Sequence, residues 1–217
     1  MAKVQEVREL THYPQYDAFL VKEDPEKTFK DFMTDPRMIR FFVDIQSKTK
    51  LETNLQASGV LPSLNSFEAH ALRVVVSNLR FQRGYSRHDE KEGLLSNLNE
   101  GEILADLIYN SVISLIVGEK TMIEMPTFWF PAGAGVSPGF PNVASHGEPN
   151  PEATFRFAEP VRIDPQQSFR VELSFPQGVP AAKDAADKAA YRLRLGDVRG
   201  PFRIWVVLDG YLTRDVQ

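Results

Sequence analysis

Along most of this chain apolar residues recur at every second position, the spacing of a β-strand with one wet face. In "MIRFFVDIQSKT", Ile39, Phe41, Val43 and Ile45 alternate with Arg40, Asp44 and Gln46. The pattern returns over residues 67–77, where Leu72, Val74 and Val76 alternate and β-branched residues accumulate. It appears again in "VISLIV" and "KTMIEM", which a Gly118-Glu119 turn joins as a hairpin. "TFRFAEPVRI" and "SFRVELSF" follow, the second with Phe169, Val171, Leu173 and Phe175 on one face, and Asp164-Pro165 opens the corner between them. The last strand, "PFRIWVVLDGYL", sets Phe202, Ile204, Val206 and Leu208 on one side.

Helical signals are few. Asp24 is placed to cap free N–H groups, Pro25 suits a first turn, and Phe29, Phe32 and Met33 then share a face until Pro36 ends the segment. The start of "ILADLIYNSVISLIV" fits either helix or strand, and an alanine-rich stretch from Ala181 to Ala190 predicts a short helix in a connection. "QRGYSRHDEKEGLLSNLNEGE" is charged and aperiodic and reads as an exposed loop. About eight strands with long, unequal connections and no βαβ alternation predict an all-β fold, an antiparallel β-sandwich built as a single jelly roll with one or two short helices. Residues 1–35 are expected to form an N-terminal arm with a short helix, and residues 36–217 the jelly-roll domain.

Composition agrees with this pattern. Hydrophobic residues at 42% and charged residues at 25% suffice for a core, and 15 Pro, 13 Gly and 15 Phe favour turns and half-buried strands. The 217 residues contain no cysteine, which excludes disulfides and thiolate metal sites and points to a reducing cytoplasm. "MAKVQEVREL" lacks the apolar core of a signal peptide, so a soluble chain is expected. The net charge of −4 argues against a general nucleic-acid binder, and residues 1–50 carry nine Lys or Arg against nine Asp or Glu, so no basic arm stands there.

Candidate chemistry gives way to plainer readings at most positions. "FPAGAGVSPGFP" places Gly133 and Gly135 one residue apart, but Pro138 breaks a dinucleotide fingerprint and nothing after it starts a helix. A corner loop that needs positive φ explains the same residues. His12, His70, His88 and His146 form no H-x-H or H-E-x-x-H unit, so neither a metal centre nor any cofactor is expected; His70 reads as a strand residue on the wet face or satisfied in the core. "HDEKEG" mixes both signs and reads as a solvated loop, and no serine sits in G-x-S-x-G, so no catalytic residue is assigned and no enzyme is expected. "FWF" is different. Phe128, Trp129 and Phe130 on a strand would put at least one ring outward, to stack on a sugar or to be covered by a partner subunit, and the partner is the reading preferred.

Four stretches together, "KTKLETNLQASGVLPSLNSF", "EMPTFWFPAGAGVS", "EPVRIDPQQSFRVELSFP" and "FRIWVVLDGYL", give a layout over residues 36–212 that resembles the jelly-roll capsid proteins of tailless icosahedral bacterial viruses. The resemblance implies a structural subunit that assembles into an icosahedral shell in the host cytoplasm and resides in the virion, through loop and arm contacts with copies of itself and with other shell proteins. It implies a single barrel, because the chain is too short for two. Without a basic arm, its inner surface is expected to meet an inner membrane, another protein layer or little at all, with no direct nucleic-acid binding. A carbohydrate-binding β-sandwich module using Trp129 is the alternative.

Overall fold

The computed structural model describes residues 8–62, 64–76, 100–135, 148–149, 151–182 and 194–215. The strands are β1 (Arg8–His12), β2 (Gln15–Val21), β3 (Met38–Phe41), β4 (Ser66–Val76), β5 (Val112–Val117), β6 (Lys120–Pro126), β7 (Ala134–Gly135), β8 (Glu148–Pro149), β9 (Arg156–Ile163), β10 (Phe169–Ser174) and β11 (Phe202–Asp215). Among the described residues there is one α-helix, α1, which spans Glu100–Asn110. One sheet runs β1-β11-β4-β9, with β2 also on β11; a second runs β3-β10-β5-β6; β7 pairs β8 separately, and all these pairings are antiparallel.

This order is a hairpin rolled up. Its tip is the two-residue turn at Gly118-Glu119, where Gly118 takes φ 61°, as the first central residue of a type II′ turn must. Outward from that tip, β5 pairs β6, β4 pairs β9, β3 pairs β10, and β1 with β2 pairs β11, so successive pairs alternate between the two sheets. That alternation makes the sandwich a jelly roll. Asp164–Gln167 forms the expected corner, with Gln167 N–H on the Asp164 carbonyl at 3.1 Å and Gln166 at φ 63°.

The N-terminal boundary differs from the sequence expectation. Residues 8–21 are not an arm outside the barrel but an outer strand of it: β1 and β2 pair β11 in one continuous register, from Arg8 opposite Asp215 to Val21 opposite Phe202. Pro14, which has no N–H to give the ladder, interrupts them. The core-facing residues of this strand include Gln15 and Asp17, both almost wholly buried. Asp17 is held by the Lys48 ammonium at 2.8 and 2.9 Å and by the Phe42 N–H at 2.7 Å. Burial pushes its carboxyl up from the usual range, and Lys48 and the donated hydrogen bonds pull it back. The same contact explains why β3 stops at Phe41: Phe42 turns to φ 69° to aim its N–H at Asp17, so the alternation through Ile45 does not continue as strand.

The segment from Asp24 forms less helix than its signals predict. Asp24 accepts the N–H groups of Glu26 and Lys27, and only Phe29–Phe32 follows as a single 3₁₀ turn. Its function is to deliver Phe29 into the core, stacked on Phe202 at 5.8 Å and edge-on to Phe19 and Phe175. A Phe buried this completely contributes about 1.5–3 kcal/mol by area alone. The alternating sides of β10 and β11 supply the rest of this core: Phe169, Val171, Leu173, Phe202, Ile204, Val206 and Leu208 are all at most 2% exposed. The predicted helix at 181–190 and the charged loop after residue 81 lie almost wholly outside the described residues.

Candidate functional site: an exposed aromatic run

Among the described residues strand β6 is an edge, paired only with β5, and Pro126 ends its ladder. The chain then makes a 3₁₀ turn at Thr127–Trp129. At three residues per turn, successive side chains point about 120° apart, so three consecutive aromatics cannot share a direction. Phe128 and Trp129 stay 48% and 49% exposed, whereas Phe130 is 2% exposed and belongs to the core. Phe130 therefore cannot itself meet a partner subunit; its role is to anchor the turn. Its carbonyl accepts the Val74 N–H at 3.3 Å, its own N–H donates to the Thr127 carbonyl at 2.9 Å, and its ring meets Phe155 edge-on at 5.6 Å.

Helix α1 is fixed beside this turn by buried hydroxyls. The Ser111 hydroxyl donates to the Leu107 carbonyl at 2.5 Å and lies 2.7 Å from the Thr127 hydroxyl, while the Thr127 N–H donates to the Ser111 carbonyl at 3.0 Å. On its other side, Asp106 accepts both Arg194 Nε at 2.7 Å and an Arg194 terminal nitrogen at 2.6 Å, plus the Leu195 N–H at 3.1 Å. The clamp sets the last turn of α1 so that Tyr109, 73% exposed, meets Phe128 at 6.1 Å.

A continuous run of rings results: Tyr109, Phe128, Trp129, Phe155 and Phe157, with consecutive centroids 5.9 to 6.3 Å apart. Three elements supply it, namely α1, the turn after β6 and the start of β9. Sequence reasoning found Phe128 and Trp129 but not Tyr109, Phe155 or Phe157, because only the fold brings these residues within reach. Tyr109, Phe128 and Trp129 are its exposed members and Phe155 and Phe157 its partly buried base, an arrangement suited to apolar contact or to ring stacking.

The described histidines also meet where the sequence keeps them apart. β1 and β4 flank β11, and His12 and His70 therefore lie on either side of Tyr211, at 5.4 and 5.3 Å. His12 Nε2 is 2.6 Å from Asp209 Oδ1, and an Arg73 terminal nitrogen is 3.5 Å from Asp209 Oδ2. His70 is the extra residue of a β-bulge opposite Asp209-Gly210, which takes it out of the ladder. With the His12 side chain 60% exposed, this is a surface cluster of one hydrogen bond, one ion pair and two ring contacts rather than a buried acid-base cluster in a cleft. Among the described residues no group of three or more His, Asp or Glu could hold a metal ion. His88 and His146 lie outside the described residues. Gly133 has φ 77°, and a Cβ there would meet Arg73 and Thr154 at 2.9 Å, as the corner-loop reading requires.

No protein-family model matches the chain, and a search of curated proteins finds no relative.

Proposed function

We propose that this chain is a structural subunit of a virus capsid, which self-associates into an icosahedral shell and buries Phe128 and Trp129 against a neighbouring copy. The observation that carries the reading is the aromatic run on a single jelly roll: three rings, Tyr109, Phe128 and Trp129, are about half or more exposed, on a surface held rigid by the Ser111–Thr127 and Asp106–Arg194 contacts. Rigid aromatic anchors lose little side-chain entropy on binding and form the centres of protein interfaces. By the usual area of an aromatic side chain, these three rings still offer roughly 350 Å². A stable interface needs about 800 Å² per partner. The run would thus be the centre of a larger contact. Other shell proteins or an inner membrane would then meet other faces of the subunit, in a particle assembled in the host cytoplasm.

The test is light scattering and electron microscopy of the purified protein over a wide range of ionic strength. Closed particles or discrete oligomers are expected. A strictly monomeric species under all conditions defeats the proposal. The exposure of Trp129 also favours a second reading, a carbohydrate-binding module in which Trp129 stacks on a sugar. Glycan binding that disappears in Trp129→Ala, with the protein folded and monomeric, would select that reading instead.

A further inference from the structure

A separate concavity of about 170 Å³ opens between the N-terminal strand and the segment that crosses it. Thr11, Tyr13 and Gln15 supply one wall, beside Leu212 and Arg214 of β11. Asn54, Gln56 and Asn65 supply the opposite wall. Asn54 fixes the distance between the walls: its Oδ1 accepts the Tyr16 N–H at 3.0 Å and its Nδ2 donates to the Pro14 carbonyl at 2.8 Å, beside the break that Pro14 makes in the strand.

Most polar groups here have no work to do inside the protein. Gln15 is 3% exposed, yet its side chain makes one hydrogen bond, from Nε2 to the Tyr13 carbonyl at 3.1 Å. Its amide oxygen, the hydroxyls of Thr11 and Tyr13, and the side-chain amides of Gln56 and Asn65 have no protein partner among the described residues. The Gln15 amide oxygen is not sealed from water, so a ligand hydroxyl that donates to it would take the place of a solvent molecule. Charge narrows the choice. The one charged residue lining the cavity is Arg214, and Glu9 pairs with it, which leaves the site neutral overall.

We propose that this cleft binds one neutral pyranose. Carboxamides and hydroxyls both donate and accept, as do the hydroxyls of a sugar ring, and a charged ligand would find no uncompensated partner. At about 30 Å³ per water, the cavity holds five or six waters, which is the space of a single ring. Tyr13, 46% exposed at the rim, offers a face for the ring's C–H groups. The site is distinct from the aromatic run, shares no residue with it, and does not depend on the shell reading.

Saturation-transfer NMR with glucose, galactose, mannose and N-acetylglucosamine tests it on the full chain. At least one sugar should bind with a Kd of about 1 mM. Binding should weaken at least tenfold in Gln15→Leu and in the rim variant Tyr13→Ala, and remain unchanged in Trp129→Ala. Thermal unfolding identifies a Gln15→Leu protein that fails to fold, in which case Tyr13→Ala carries the decision. Transfer from none of the four sugars overturns the proposal, as does binding that survives both cleft variants or is lost in Trp129→Ala. Competition by inorganic phosphate would also overturn it, since that would show a site for anions. Self-association is read separately by light scattering, so failure of the sugar site leaves the assembly question intact, and the reverse holds.

Discussion

Truncating Trp129 to alanine should weaken self-association about a hundredfold per contact while leaving the subunit folded. The side chain is 49% exposed in the isolated chain. Taking about 250 Å² for a tryptophan, roughly 120 Å² remains for a partner to cover. At about 25 cal/mol per Å² that is about 3 kcal/mol, or slightly over two orders of magnitude in Kd. Ordering costs take little away, because Phe128 at 5.9 Å and Phe155 at 6.0 Å already hold the ring. A two-fold contact uses the residue twice and would double the energy. The loss of fold stability should stay at about 1–2 kcal/mol, since half the side chain gains nothing from folding. Sedimentation velocity over a concentration series measures the effect, with Leu64→Ala as a control at another exposed apolar residue, 68% exposed. The reasoning fails if Trp129→Ala and Leu64→Ala shift the association midpoint equally.

Four further outcomes test the framework beneath that surface. Asp106→Ala should cost about 2–4 kcal/mol in urea unfolding, because it removes a bidentate partner of Arg194 and leaves the Leu195 N–H buried without an acceptor. Glu52 is buried, which raises its carboxyl, but the N–H and hydroxyl of Thr49 and the charge of Arg203 outweigh this and hold it below the ordinary range. Its contribution is therefore present above about pH 4.3 and lost as pH falls through the folded value. Urea midpoints from pH 3 to 7 should show less acid sensitivity in Glu52→Gln than in the parent. Gly210→Ala would place a Cβ 2.0 Å from the Glu68 carbonyl oxygen and should cost at least about 3 kcal/mol. Gly178→Ala, at φ 83° with open space around it, should cost only about 1–2 kcal/mol by urea unfolding.

What the sequence disclosed follows from how each strand is buried. β10 and β11 each have one dry and one wet side, so alternation alone located them to within a few residues. β1 and β2 were missed for a physical reason: two of their core-facing positions are the polar Gln15 and Asp17, and Asp17 is tolerated only because Lys48 and the Phe42 N–H lie across the interior. No local pattern records a partner 31 residues away. Helix α1 was ambiguous because its apolar residues run straight into those of β5. The aromatic run was half legible, since "FWF" announces itself, but the 3₁₀ turn that sends Phe130 inward and leaves its neighbours outside depends on Pro126 ending the ladder. The meeting of His12 with Asp209 and of His70 with Tyr211 had no local signal; only the order β1-β11-β4 implies it.

The rolled hairpin also bears on how copies of this chain could join. Among the described residues, its two large sheets leave four edges: the interrupted β1–β2 pair, β9, β3 and β6. Each is blunted. Pro14 divides the first, Pro160 lies within β9, β3 is four residues long with Arg40 in it, and β6 carries Lys120 and Glu124 and ends at Pro126. Prolines, charges and short length are the means by which sheets refuse further strands. Association by strand addition would meet one of these on every edge. On the proposed reading, a second copy would be recognised through side chains. The run of rings from Tyr109 through Trp129 to Phe157, on a turn that Phe130 anchors from within, is a surface suited to that.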